Sequence, residues 1–60
     1  MIIYMLYDNY ELEFGELLYQ GSDFKQMMKI ARKRYKDTDG ECKLQYTETG
    51  CHGERVESLN

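Results

Sequence analysis

The strongest structural signal in the sequence is a single amphipathic helix that begins near Asp23 and ends near Gly40. Ser22 or Asp23 can act as the N-cap, and Gln26 stands three residues after Asp23, as in a capping box. The apolar residues that recur with helical spacing are Phe24, Met27, Met28, Ala31 and Tyr35. The other patterned segments alternate with a period of two, so the helix must be combined with strands, and the predicted fold class is α+β.

The segment before the helix is predicted to form a β-hairpin. Residues 2–7 are rich in β-branched and aromatic side chains, and the turn-forming pair Asp8-Asn9 follows them. Residues 10–14 alternate between apolar side chains and glutamate, which predicts a second strand. The facing pairs are then Tyr7 with Tyr10, Met5 with Leu12, and Ile3 with Phe14. Because Gly15-Glu16 breaks the alternation, a bulge and a wide loop with the strand starting at Glu16 both stay open.

The segment after the helix is predicted to supply a third strand and leaves a fourth open. The alternating apolar residues of the third strand are Cys42, Leu44 and Tyr46. A turn at Thr49-Gly50 would return the chain as a short fourth strand as far as Val56. The predicted architecture is a small antiparallel β-β-α-β sheet with one helix packed on one face, and residues 1–60 form a single domain.

A single helix leaves one face of this sheet uncovered. In the register above, Tyr4, Leu6 and Leu18 fall on the face opposite the helix. This surplus of apolar side chains predicts a homodimer or partner surface, and the small size of the chain also favours an oligomer or a bound state. Scattered exposed apolar residues without a partner are the alternative.

The sequence offers little material for catalysis, metal binding or membrane insertion. The apolar start, residues 1–7, is too short for a membrane span and follows no basic segment, so we expect a cytoplasmic protein without membrane contact. In that compartment Cys42 and Cys51 are expected to be free thiols. Together with His52 they do not have the spacing of a structural zinc site, and the adjacent Cys51 and His52 side chains point apart in extended chain. No catalytic residue, metal or cofactor is predicted.

Charged residues are segregated along the chain, although its net charge is only −3. Residues 1–23 carry five acids and no base, residues 24–36 carry six bases and no acid, and residues 37–60 carry six acids and two bases. Most of the bases fall on one helical face opposite the apolar stripe: Lys25, Lys29, Arg32, Lys33 and Lys36. The candidate acidic surface comprises Asp8, Glu11, Glu13, Glu16, Asp37, Asp39 and Glu41.

The two charged surfaces predict different partners. Acids at alternate strand positions, such as Glu11 and Glu13, stand about 7 Å apart, close to the spacing of successive phosphates on one nucleic-acid strand. The acidic surface is therefore favoured as the contact with a basic groove. The basic helix predicts phosphate binding instead, but the chain is not strongly basic, and Phe24 and Tyr35 are assigned to the apolar stripe rather than to the basic face. A solvated surface without a binding role is the third interpretation of both patterns.

The hairpin, the segment Tyr19-Gln20-Gly21-Ser22-Asp23-Phe24 entering the helix, and the strand at 41–46 resemble small accessory proteins of bacteriophages and mobile elements, including some anti-CRISPR proteins. The resemblance spans most of the chain, but it is one of size and architecture and transfers no functional residue. It implies a stoichiometric, non-enzymatic inhibitor in the cytoplasm of a bacterial host. The predicted partner is a host protein complex whose nucleic-acid-binding surface receives the acidic surface. The alternatives are direct nucleic-acid binding by the helix and a homodimeric structural protein.

Overall fold

The computed structural model describes residues 1–9 and 15–59. Within these residues, four strands form one antiparallel sheet in the order β2-β1-β3-β4, accompanied by one helix. The elements are β1 (Ile3–Asp8), β2 (Glu16–Gly21), α1 (Phe24–Asp37), β3 (Leu44–Gly50) and β4 (Gly53–Ser58). The predicted α+β class is confirmed, and the segment after Gly50 does form a fourth strand.

The limits of α1 follow from its caps. Asp23 is the N-cap, and its Oδ1 accepts a hydrogen bond from the Gln26 backbone N–H at 3.1 Å. At the other end the Gly40 N–H donates to the Tyr35 carbonyl oxygen at 2.8 Å. Gly40 has a φ of +79°, a conformation that costs glycine nothing and a side chain much more. The helix predicted between Asp23 and Gly40 is therefore confirmed.

The pairing of β1 with β2 differs from the predicted tight hairpin. Tyr7 pairs with Leu17 rather than Tyr10, and Asp8 is the last residue of β1, where it faces Glu16. The register shifts at Leu18, because Leu6 pairs with Tyr19 while Tyr7 pairs with Leu17. The predicted two-residue loop is wrong, because Asp8 belongs to β1, and the alternative in which the second strand starts at Glu16 is confirmed. The proposed pairings of residues 10–14 lie outside the described residues.

The helix packs on the opposite face of β1 from the one predicted. Leu6 and Met27 are both fully buried, and Tyr4 and Leu18 pack against the same core. The prediction that Tyr4, Leu6 and Leu18 form an uncovered surface is therefore wrong. Alternation in a strand determines which residues share a face but not which face the helix covers, and Ile3, Met5 and Tyr7 consequently lie on the helix-free side.

The β3–β4 hairpin turns two residues later than predicted. Gly50 pairs with Gly53, so the turn consists of Cys51 and His52 rather than Thr49 and Gly50. The chain remains ordered against β3 beyond β4, since the Leu59 N–H donates to the Leu44 carbonyl oxygen at 2.9 Å. Because α1 lies mainly over β1 and β2, the half of the sheet formed by β3 and β4 is less covered on the helix side.

Candidate functional site

Two residues of the predicted acidic surface are held by Arg34. The Arg34 Nε donates to Asp8 Oδ2 at 2.9 Å, and its Nη2 contacts Glu16 Oε2. The Asp8 side chain is only 9% exposed, and its Oδ1 also accepts the Lys43 N–H at 3.2 Å. The hydrogen bond to Asp8, followed by that to Glu16, raises the pKa of the Arg34 guanidinium above its ordinary value. Asp8 and Glu16 therefore anchor α1 to the sheet instead of forming a free negative surface.

The other predicted acids are divided among three situations. Asp37 pairs with Lys33 one helical turn away, at 3.3 Å. Asp39 and Glu41 are exposed and form no ion pair within residues 1–9 and 15–59. The two glutamates on which the phosphate-mimicry argument depended, Glu11 and Glu13, lie outside the described residues. Within the described residues, the acidic surface is thus reduced to two unpaired carboxylates.

The basic residues of α1 keep the arrangement that the sequence predicted. Lys25, Lys29, Arg32 and Lys36 are all exposed and follow each other at intervals of four, three and four residues. At 1.5 Å per residue they extend along about 16 Å of one helical face. None of them forms an ion pair with a described carboxylate. This row, called the basic face below, lies opposite the buried Met27 and Ala31, whereas Lys33 is beside it and compensated by Asp37.

Two aromatic residues predicted for the core lie beside the basic face instead. Phe24 is 40% and Tyr35 51% exposed, so the buried residues of the apolar stripe are Met27 and Ala31. Phe24 packs its ring against Tyr4 and Tyr46, with centroid distances of 5.2 and 5.7 Å. Both rings stay exposed because their flank of α1 faces β3 and β4, the half of the sheet that the helix covers least.

An apolar groove lies between this flank of α1 and the end of the chain. Its volume is about 270 Å³. Its walls are Met28, Ala31, Arg32, Tyr35, Leu44 and Leu59. Arg32 therefore belongs both to the basic face and to the groove. This groove could not be predicted from the sequence, because Leu59 reaches Leu44 only through the β3–β4 pairing.

The sheet wall beyond the groove carries a network of paired charges. Arg55 of β4 contacts Glu57 and lies 3.7 Å from Glu48 of β3. Tyr4 of β1 pairs with Glu48 in the sheet, which brings the Glu48 carboxylate near the Tyr4 hydroxyl. Partial burial, together with the negative charge of Glu48, raises the pKa of the Tyr4 hydroxyl. Glu48 and Glu57 are therefore engaged with Arg55, whereas the four cations of the basic face have no described carboxylate partner.

The two cysteines lie in different surroundings in the described part of the chain. Cys42 is buried in the core, Cys51 is exposed in the β3–β4 turn, and no disulfide joins the two. No group of three or more histidine, cysteine or carboxylate side chains among residues 1–9 and 15–59 is placed to hold a metal ion. Over the same residues, no helix combines the length and apolarity required to cross a membrane.

No protein family, curated protein or solved structure matches this chain.

Proposed function

We propose that this protein is a non-enzymatic binding module whose basic face contacts the phosphates of a nucleic acid. The observation that carries the proposal is the contrast between the two predicted charged surfaces. Four cations of the basic face are exposed and without a described carboxylate partner, whereas Asp8, Glu16 and Asp37 are all engaged in ion pairs. Uncompensated, regularly spaced cations are the usual electrostatic contact for a phosphate backbone.

The local field of the helix supports this function despite the negative net charge of −3. Over distances longer than about 8 Å, physiological salt screens exposed charges from one another. A backbone lying along α1 is therefore attracted mainly by the nearby cations and repelled little by carboxylates on distant parts of the surface. The basic face also presents lysine and arginine on a rigid helix, which fixes the positions from which they reach phosphates.

The proposal is tested by titrating fluorescein-labelled oligonucleotides with the protein and following anisotropy at several salt concentrations. Four phosphate contacts predict an affinity that falls about 50- to 150-fold between about 50 and 200 mM salt. Arg32→Gln should weaken binding and reduce the slope of log affinity against log salt by about 0.7–0.9, because one contact is lost. Absence of binding at the lowest salt would overturn the proposal.

Lys33→Gln is the matched control for Arg32→Gln. It removes the same charge from the same helix, but Lys33 is 79% exposed and already pairs with Asp37. Its loss should therefore change affinity less than the loss of Arg32. Equal effects of both substitutions would mean that only net charge matters and would contradict a defined contact along the basic face.

The inhibitor function implied by the architectural resemblance is the second candidate. The observation that favours it is the exposure of Asp39 and Glu41, which have no ion-pair partner in the described residues. If the partner is a host protein complex with a basic surface, reversing the charges of both Asp39 and Glu41 should abolish capture of that complex from a bacterial lysate. Arg32→Gln should leave the capture unchanged. If the double charge reversal has no effect on capture, and Arg32→Gln weakens binding to an oligonucleotide, the basic face is the contact surface.

A further inference from the structure

We infer that the groove beside the basic face receives an unpaired base, so that the ligand is a single-stranded nucleic acid rather than a duplex. This inference rests on the proposed function and names its ligand more closely. The groove has a volume of about 270 Å³. Sites that enclose a drug-sized molecule measure about 300–1,000 Å³, and this groove lies just below that range, so it can hold one planar ring whose remaining part is bound outside it.

The walls of the groove indicate what kind of group enters it. Met28, Leu44 and Leu59 provide apolar surface, and the half-exposed Tyr35 provides an aromatic ring. Nucleobases stack on such rings, and each stacked base contributes about 1–3 kcal/mol to binding. The groove thus offers a base both an apolar cavity and an aromatic ring at its wall.

The position of Arg32 connects the groove to the basic face. Its side chain lines the groove, while Lys29 and Lys36 stand one helical turn before and after it on the exposed side of α1. A chain that places a phosphate on these cations therefore passes directly beside the opening of the groove. A polymer that carries both a phosphate and a planar ring in every repeat is a nucleic acid, and only an unpaired strand can turn its bases toward the protein.

The carboxylates on the part of the sheet beyond the groove are already engaged. Glu48 and Glu57 both contact Arg55, so their negative charges are partly neutralised. At the far end of the same flank, Phe24 presents a second exposed ring, eleven residues or about 16 Å along the helix from Tyr35. Two aromatic rings beside one row of cations form the combination found in sequence-tolerant single-strand binders.

The test compares three labelled probes that differ in their bases: a mixed-sequence single strand, an abasic strand of the same length, and the corresponding duplex. We expect the protein to bind the base-bearing strand more tightly than the abasic one. Tyr35→Leu keeps an apolar side chain but removes the ring, and it should lower affinity for the base-bearing strand at least about fivefold. The same variant should leave binding to the abasic strand and the duplex unchanged, and Tyr35→Phe should retain full affinity.

A direct contact is checked by photocrosslinking with a strand that contains 5-iodouracil. The crosslink is expected on the peptide that carries Tyr35, mapped by mass spectrometry. Melting curves of Tyr35→Leu and Tyr35→Phe establish that both variants fold. If the abasic and base-bearing strands bind equally and Tyr35→Leu has no effect, the inference is overturned while the proposed function stands. If no probe binds, both are overturned, and a protein partner takes their place.

Discussion

Replacing Arg34 with methionine tests the interaction that joins α1 to the first hairpin. The charge-assisted hydrogen bond to Asp8, whose side chain is 9% exposed, contributes about 1.5–3 kcal/mol. The contact with the 61% exposed Glu16 adds about 0.2–1 kcal/mol. After the substitution Asp8 still accepts the hydrogen bond from the Lys43 N–H. The cost therefore stays below about 3–5 kcal/mol, the cost of leaving a buried charge without any partner. We expect a loss of about 2–3 kcal/mol.

This loss is large for a chain of this size. Sixty residues correspond to a total stability of about 3–9 kcal/mol, and the loss lowers the melting temperature by about 15–25 °C. The assay is urea or thermal unfolding followed by circular dichroism, with Lys33→Met as the matched control because Lys33 pairs only at the exposed surface. A double-mutant cycle with Asp8→Asn should give a coupling of at least about 1 kcal/mol. Equal midpoints for Arg34→Met and Lys33→Met, or a coupling near zero, would refute the reasoning.

Three further outcomes follow from the burial and charges of single residues. Leu6→Ala should cost about 2–5 kcal/mol in urea unfolding because Leu6 is fully buried, and a cost below about 1 kcal/mol would contradict its place in the core. Because the pKa of Tyr4 is raised in the folded state, the unfolded state loses this proton at a lower pH than the folded state does. The free energy of unfolding should therefore fall as pH rises above about 10. Tyr4→Phe should weaken that fall, and an unchanged pH profile would argue against the shift. In the native protein Cys51 should react with a thiol reagent much faster than Cys42, as measured by mass spectrometry, and equal rates would show that Cys42 is not protected.

Much of the local structure could be predicted from the sequence. The helix is specified by the N-cap Asp23, whose side chain accepts the Gln26 backbone N–H, and by Gly40 at its end. The basic face is equally local, because helical spacing alone places Lys25 and Lys29 on one side. Such features depend on residues a few positions apart, and the structure confirms them.

The tertiary structure decided which surfaces are available for binding. Alternation along β1 separates Leu6 from Met5, but only the crossing of α1 determines that Leu6 is the buried one. Phe24 and Tyr35 have core-like spacing, yet both remain exposed because α1 lies over β1 and β2. These outcomes depend on contacts between distant segments.

The same distinction applies to the charges. The sequence determined that acids and bases are segregated along the chain, since that is a property of order alone. Whether a charge is free depends on which residues the fold brings within a few ångströms. Arg34 reaches Asp8 across 26 positions and removes it from the surface, whereas no described carboxylate reaches Arg32. Coulomb attraction acts through space rather than along the chain, so only the folded structure shows which charges remain to bind a partner.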